Sequence, residues 1–172
     1  LVTHFHPDHI GGELFGHNIP GVPQLLELRP VKIHMHKEEA PYVKSTLGLE
    51  SSDFTAVDGE TTVHVGQIPI RILHTPGHTP GSLCFLVGGN LVSGDTLFIG
   101  SCGRVDLPGS NPSDLYYSLT QKLKKLPDDT VLYPGHNYAP ESTSTIAKEK
   151  KSNVFMRFER LEDFLQMMGY PG

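Results

Sequence analysis

Apolar and polar positions along the chain change rhythm twice. Near the start, "LVT" reads as the end of a strand, "DHIGGELFGHNI" as the opening of a helix, and "VPQLLEL" as another helical turn or two. "PVKIHMHK" then alternates as a short strand. "KEEAPYVKSTLG" follows as helix with acidic residues in its first turn. In the middle the alternation takes over: "TTVHVGQIPIRILHT" is broken only by the turn signal "GQIP", and "SLCFLVGGNLVSGDT" joins two apolar runs through Gly88, Gly89 and Asn90. Two consecutive hairpins predict an antiparallel sheet.

The last third returns to helical spacing. "NPSDLYYSLTQKLKKL" has a cap at Asn111 or Ser113, Asp114 early, Lys122, Lys124 and Lys125 late, and a core face of Leu115, Leu119 and Leu123. "TVLYPGH" is a strand running into a loop, and "STIAKEKKSN" and "RFERLEDFLQMM" are closing helices. With no repeat and no linker, the pattern predicts one α/β domain over residues 1–172.

Composition narrows the possible partners. The chain has 172 residues, 37% of them hydrophobic, with 18 Gly and 14 Pro, which fits a loop-rich globular domain with a real core. A formal charge of −5 offers no general attraction to phosphate backbones, so nucleic acid is not an expected partner. The basic run Lys148 to Lys151, with Glu149 inside it, reads as the solvated face of a helix. No apolar run reaches the length of a membrane span. Cys84 and Cys102 stand far apart and outside any CxxC pattern; Cys84 reads as core and Cys102 as a small residue in a turn. The expectation is a reducing, cytoplasmic setting and a small-molecule partner.

Chemistry concentrates at strand ends. "THFHPDH" carries His4, His6, Asp8 and His9; "TPGHTPGS" carries His78, "SGDT" Asp95 and "YPGHNY" His136, each between a predicted strand and the next element. His4 and His6, two apart on an extended turn, can point toward one ion, and Asp8 and His9, at the start of the next helix, can serve a neighbouring one. Imidazole and carboxylate suit zinc, iron and manganese to different degrees, and a carboxylate such as Asp95 can use one oxygen on each of two ions. Gly77, Gly94 and Gly135 suit turns that bring backbone close to such a site. His17, His34, His36, His64 and His74 lack such a context and are left out.

"THFHPDHIGG", "TPGHTPGS", "SGDTLF" and "YPGHNY", in this order, resemble the metal motifs of the metallo-β-lactamase superfamily. The resemblance implies an αββα sandwich with the site at one edge between two sheets. It also implies a first metal on His4, His6 and His78, a second on Asp8, His9 and His136, and Asp95 shared by both. The implied cofactors are two divalent ions, zinc first, with iron or manganese as alternatives. Asp8 and Asp95 then serve catalysis as ligands, because bound metal lowers the pKa of water and supplies a hydroxide nucleophile. The superfamily places several strands before its HxHxDH motif; their absence here predicts an N-terminally truncated fold with an exposed pairing edge.

"GDTLFIGSCGRVDLPGSNPSDLYYSL", "LPDDTVLYPGHNY" and "STIAKEKKSNVFMR" are most similar to the glyoxalase II branch, the hydroxyacylglutathione hydrolases. That likeness implies hydrolysis of a thioester, possibly glutathione-derived, with Arg104 and Tyr138 at substrate-binding positions. "CGRVD" lacks the aromatic pair of that branch and is close to the CGR-x-D of persulfide dioxygenases. Those hold a single iron at the positions of His4, His78 and Asp95. A class B lactamase fits less well, since its best-known branch has cysteine where Asp95 stands. A metal-binding piece without turnover is the third reading.

Overall fold

A computed structural model describes residues 1–171. Twelve strands and six α-helices follow in chain order. The first part holds α1 (Pro7–Ile10), β1 (Gly12–Leu14), β2 (His17–Ile19), α2 (Val22–Leu28), β3 (Ile33–His36), α3 (Ala40–Leu47) and β4 (Phe54–Val57). The middle holds β5 (Thr61–Val65), β6 (Ile68–His74), β7 (Leu83–Val87), β8 (Asn90–Gly94), β9 (Leu97–Phe98) and β10 (Ser101–Cys102). The last part holds α4 (Pro112–Tyr117), β11 (Val131–Pro134), β12 (Ser144–Thr145), α5 (Ile146–Ser152) and α6 (Leu161–Met167).

Both expected hairpins form: β5 pairs antiparallel with β6 and β7 with β8. They belong to a six-stranded sheet of order β12-β11-β8-β7-β6-β5. Its single parallel pair is β8 with β11, Leu91 opposite Leu132. Alternation along β6 and β7 sends Leu73 and Cys84 to one face, into a core with Leu115, Leu119, Leu123, Ile146 and Phe164 from the helices of the last third. Ile72, Leu83 and Phe85 point the other way and meet Val57 of β4. Beyond that contact, β3 and β4 pair in parallel, and Ile33 and Met35 pack with Ile10, Val22 and Val43. Helices, small sheet, large sheet and helices therefore stack in the αββα order that the motifs imply.

Several local expectations need correction. The helix opened by Pro7 holds Asp8 and His9 but ends at Ile10, because Gly11 and Gly12 take φ of 91° and 122°, outside the helical region. A hairpin replaces its continuation. Leu14 pairs with His17 across Phe15 and Gly16, both at positive φ (51° and 79°), as the tightest hairpin turns require. The strand β4, paired with β3 over Ile33–His36, falls in "DFTAV", outside the elements that the pattern predicts. In the basic run, Lys148 and Lys151 are exposed, yet Glu149 is fully buried. It accepts hydrogen bonds from Ser144 Oγ at 2.5 Å and from the Gly100 N–H at 2.8 Å, tying α5 to the β9–β10 turn.

The capping expectation holds: Asn111 Oδ1 accepts from the N–H groups of Ser113 and Asp114 at 2.9 and 3.2 Å. Leu115, Leu119 and Leu123 are all fully buried, although α4 gives way after Tyr117 to a wider turn over Ser118–Lys122 and a tight one over Leu123–Lys125.

Candidate metal centre

Strand direction gathers the site. The β6, β8 and β11 strands run the same way, since β7 is antiparallel to both β6 and β8 and β11 is parallel to β8. The loops leaving their C-terminal ends carry His78, Asp95 and His136 and so meet at one end of the sheet. "THFHPDH" arrives there from the side: the Leu83 N–H donates to the Thr3 carbonyl at 2.8 Å and the Val2 N–H to the His34 carbonyl at 2.9 Å. Gly135 is needed where β11 passes Asp95, for a Cβ on it would press on the Asp95 carboxylate at 2.5 Å. Gly77 and Gly94, at φ of 138° and 50°, make the turns expected of them.

All seven predicted ligand positions converge. Donor atoms of His4, His6 and His78 form one group that could hold an ion, those of Asp8, His9 and His136 a second, and His4, His9 and Asp95 a third, each within 4.8 Å. Asp95 lies among them, with Oδ1 at 3.2 Å from His9 Nε2 and Oδ2 at 3.2 Å from His136 Nε2 and 3.7 Å from His78 Nε2. His136 Nε2 is also 3.3 Å from an Asp8 oxygen. His17, His34, His36, His64 and His74 join none of these groups.

The electrostatics suit a cation. Burial lowers the pKa of His4 well below the ordinary imidazole value, with the neighbouring histidines adding to it, and burial with His78 brings His6 down to about 4. These rings are neutral and present lone pairs. Burial pushes Asp95 up, but the His9 ring 3.2 Å from its Oδ1, with the charges of His136 and His78, leaves it below the usual carboxylate range. His4 Nε2 is buried without any hydrogen-bond partner, and Asp95 Oδ1 makes no hydrogen bond of acceptable geometry. Leaving such atoms unsatisfied costs about 1–3 kcal/mol each. An all-nitrogen-and-carboxylate donor set with an orphaned imidazole nitrogen fits divalent metal.

Orientation comes from neighbours that sequence motifs do not mark. The Arg104 carbonyl accepts from His78 Nδ1 at 2.9 Å, which fixes the tautomer with Nε2 turned inward. Thr3 Oγ1 lies 3.1 Å from His4 Nδ1 and holds the orientation of that ring, as donor or as acceptor. The Arg104 side chain itself is exposed and tied to Asp106 by two 2.7 Å bonds, which hold the Asp106 carboxyl down to about 2. Tyr138 stacks on His136, with ring centres 5.2 Å apart and planes at 16°.

A cavity of about 530 Å³ opens over the cluster. Leu14 and Phe15 from the β1–β2 hairpin, Leu107, Pro108 and the stacked pair Phe5 and Tyr42 give it an apolar wall facing the histidines, and Arg104 and Tyr138 lie on its rim. Phe15 is the contribution a reader of the sequence would miss; it is 93% exposed at the turn. Its signal is the "LFGH" turn that follows two glycines.

Fold, motif order and donor set define a class, and comparison with known families agrees: the chain belongs to the metallo-β-lactamase superfamily, whose family model matches residues 1–136. Members of that superfamily are metal-dependent enzymes. Among solved structures, ETHE1 from Myxococcus xanthus superposes with a TM-score of 0.80 at 33% identity, covering 97% of this chain and 66% of that one. A probable hydroxyacylglutathione hydrolase of Schizosaccharomyces pombe is 31% identical over 94% of this chain and 56% of its own length. The human mitochondrial persulfide dioxygenase ETHE1 is 29% identical over 97% of this chain and 59% of its own. The chain thus spans less than two thirds of each of these relatives. No helix among the described residues is long and apolar enough to cross a membrane.

Proposed function

We propose that this chain carries the catalytic centre of a thioester hydrolase of the hydroxyacylglutathione hydrolase type, working with two divalent ions, zinc first. The observation that supports it is the placement of Asp95 among donor atoms of both groups, with Oδ1 at His9 and Oδ2 at His136 of one group and Oδ2 also 3.7 Å from His78 of the other. His4, His6 and His78 would hold one ion, Asp8, His9 and His136 the other, and Asp95 both. Such ions lower the pKa of a coordinated water and polarise a substrate carbonyl.

The chain's own residues do the rest. His78, oriented through the Arg104 carbonyl, and His4, oriented through Thr3, keep their inner nitrogens aimed at one point. The apolar wall of Leu14, Phe15, Leu107 and Pro108 takes the uncharged part of the thioester and keeps bulk water from it. Arg104 and Tyr138, on the rim, meet the polar part of the thiol. With both negative and positive charge already paired at Arg104 and Asp106, the rim favours modest attraction for an anionic thiol over a strong clamp.

A second reading, an iron-dependent persulfide dioxygenase on His4, His78 and Asp95, has its own support in the Arg104–Asp106 pair of "CGRVD" and in the likeness to the ETHE1 proteins. Elemental analysis of the purified protein, with assays on S-lactoylglutathione and on glutathione persulfide, separates the two. Two metal ions per chain and thiol release are expected; one iron with oxygen consumption would replace hydrolysis by the second reading.

A further inference from the structure

Glu39 is fully buried just ahead of α3, outside the cavity and in none of the donor groups. A carboxylate in such a place needs partners. Its Oε2 accepts from the Phe5 N–H at 2.7 Å and its Oε1 from the Gly81 N–H at 2.6 Å. Phe5 stands between His4 and His6, and Gly81 lies in the loop of His78. One side chain therefore clasps the two backbone segments that carry His4, His6 and His78, two of them buried and His6 half-buried.

The surroundings are shaped to this contact. A Cβ on Gly81 would fall 2.6 Å from Glu39 Cγ and Oε1, so glycine there lets the loop reach the carboxylate. The same loop is held also by His74, whose Nε2 donates to the Pro80 carbonyl at 2.9 Å while its ring stacks on His36 at 3.9 Å. The clasp uses two oxygens for two N–H groups. An amide at this position offers one acceptor and sets its own N–H₂ against the other donor.

We propose that Glu39 is a positioning residue that sets the spacing of the His4–His6 segment and the His78 loop, and through it the affinity and ligand geometry of the buried ion site. This rests on the metal-centre reading above. Burial raises the Glu39 pKa to about 7, against the Thr79 side chain and the Gly81 and Phe5 N–H groups that hold the charged form, so the carboxylate is costly here and a purely packing role would be met better by an apolar residue.

The test loads the whole protein, freed of metal, with cobalt(II), and compares Glu39→Gln and Glu39→Asp with the parent by competition against a chelator, by visible absorption and by thermal unfolding of the metal-free forms. Glu39→Gln should bind the tighter cobalt equivalent about 10–100-fold more weakly, with altered absorption bands. Glu39→Asp, which keeps both acceptors on a shorter arm, should fall between it and the parent. Unchanged affinity and spectrum in either folded variant, even with a lower melting temperature, would make Glu39 a strut of the fold and overturn the proposal. Should Glu39→Gln not fold, the Glu39→Asp comparison decides alone. A parent that takes up no cobalt would instead sink the metal-centre reading, and this inference with it.

Discussion

The two donor groups that flank Asp95 are built differently. His4 and His78 are buried, at 1% and 3% exposure, and each is oriented by a hydrogen bond to its outer nitrogen. The segments carrying that group are also clasped by Glu39. In the other group, Asp8 and His136 reach the cavity with side chains 37% and 26% exposed, and the support for His136 is the stacked Tyr138 ring. The first group is held by backbone and sheet; the second by its own members and by solvent-facing neighbours. An ion on the first is expected to be tight and slow to exchange and one on the second weaker, although both would face the cavity, which His6 and His78 line as well as Asp8 and His136.

The substitution that breaks the comparison altogether is Asp95→Ala, since Asp95 faces both groups. Thiol release from a thioester should fall about 10³-fold, equivalent to about 4 kcal/mol of transition-state stabilisation, and elemental analysis should find one ion per chain or fewer. Two retained ions with normal turnover would end the shared-ligand assignment.

Next in size is a change beneath the buried group. Leu115 of α4 is fully buried, and Gly77, beside His78, packs so closely on it that a Cβ there would clash with the Leu115 backbone. Leu115→Ala should cost about 2–5 kcal/mol of stability, read by denaturant unfolding of the metal-free protein. A loss far below that range would mean the loop of His78 does not depend on this helix.

A gentler test separates the groups without touching the core. His136→Ala should leave the buried site loaded and remove the second ion, whereas His4→Ala should lower occupancy at both, because His4 sits in two of the three donor groups. Chelation of the parent should likewise proceed in two phases, the first ion leaving at least about 10-fold faster if it lacks the oriented outer shell of the other. Single-phase release of both would show the groups to be equivalent.

This contrast also explains what the sequence could reveal. The ligand positions of both groups and Asp95 sit in short strings, "THFHPDH", "PGHT", "SGDT" and "PGHN", whose residue types carry the chemistry themselves. The hairpins were readable because turn residues and alternation are local. What fixes the buried group is not local: Glu39 meets partners 34 and 42 positions away, and the carbonyl that orients His78 comes from a residue 26 positions on. Glu39 looks, in "KEEA", like ordinary first-turn acid, and Glu149, inside a lysine run, like ordinary surface charge. Backbone acceptors and donors leave no mark in a sequence at all. The helix expected after His9 stops for a local reason, the Gly11–Gly12 pair, whose positive φ values outweigh the apolar spacing around them.

The smallest effect belongs to the rim. Resemblance alone would make Arg104 a strong anchor for an anionic thiol, yet its guanidinium is exposed and already engaged twice by Asp106. Whatever it gives a substrate must be taken from that pair, and ion pairs this exposed are screened by water and weak. Arg104→Ala should therefore raise KM for an anionic thioester by no more than about 10-fold and leave kcat nearly unchanged, as loss of uniform binding does. Asp106→Asn frees the guanidinium and should lower KM for the same substrate, an effect that added salt weakens. A fall in kcat in Arg104→Ala, with KM constant, would instead place Arg104 in the chemistry, acting through the backbone it shares with the acceptor of His78.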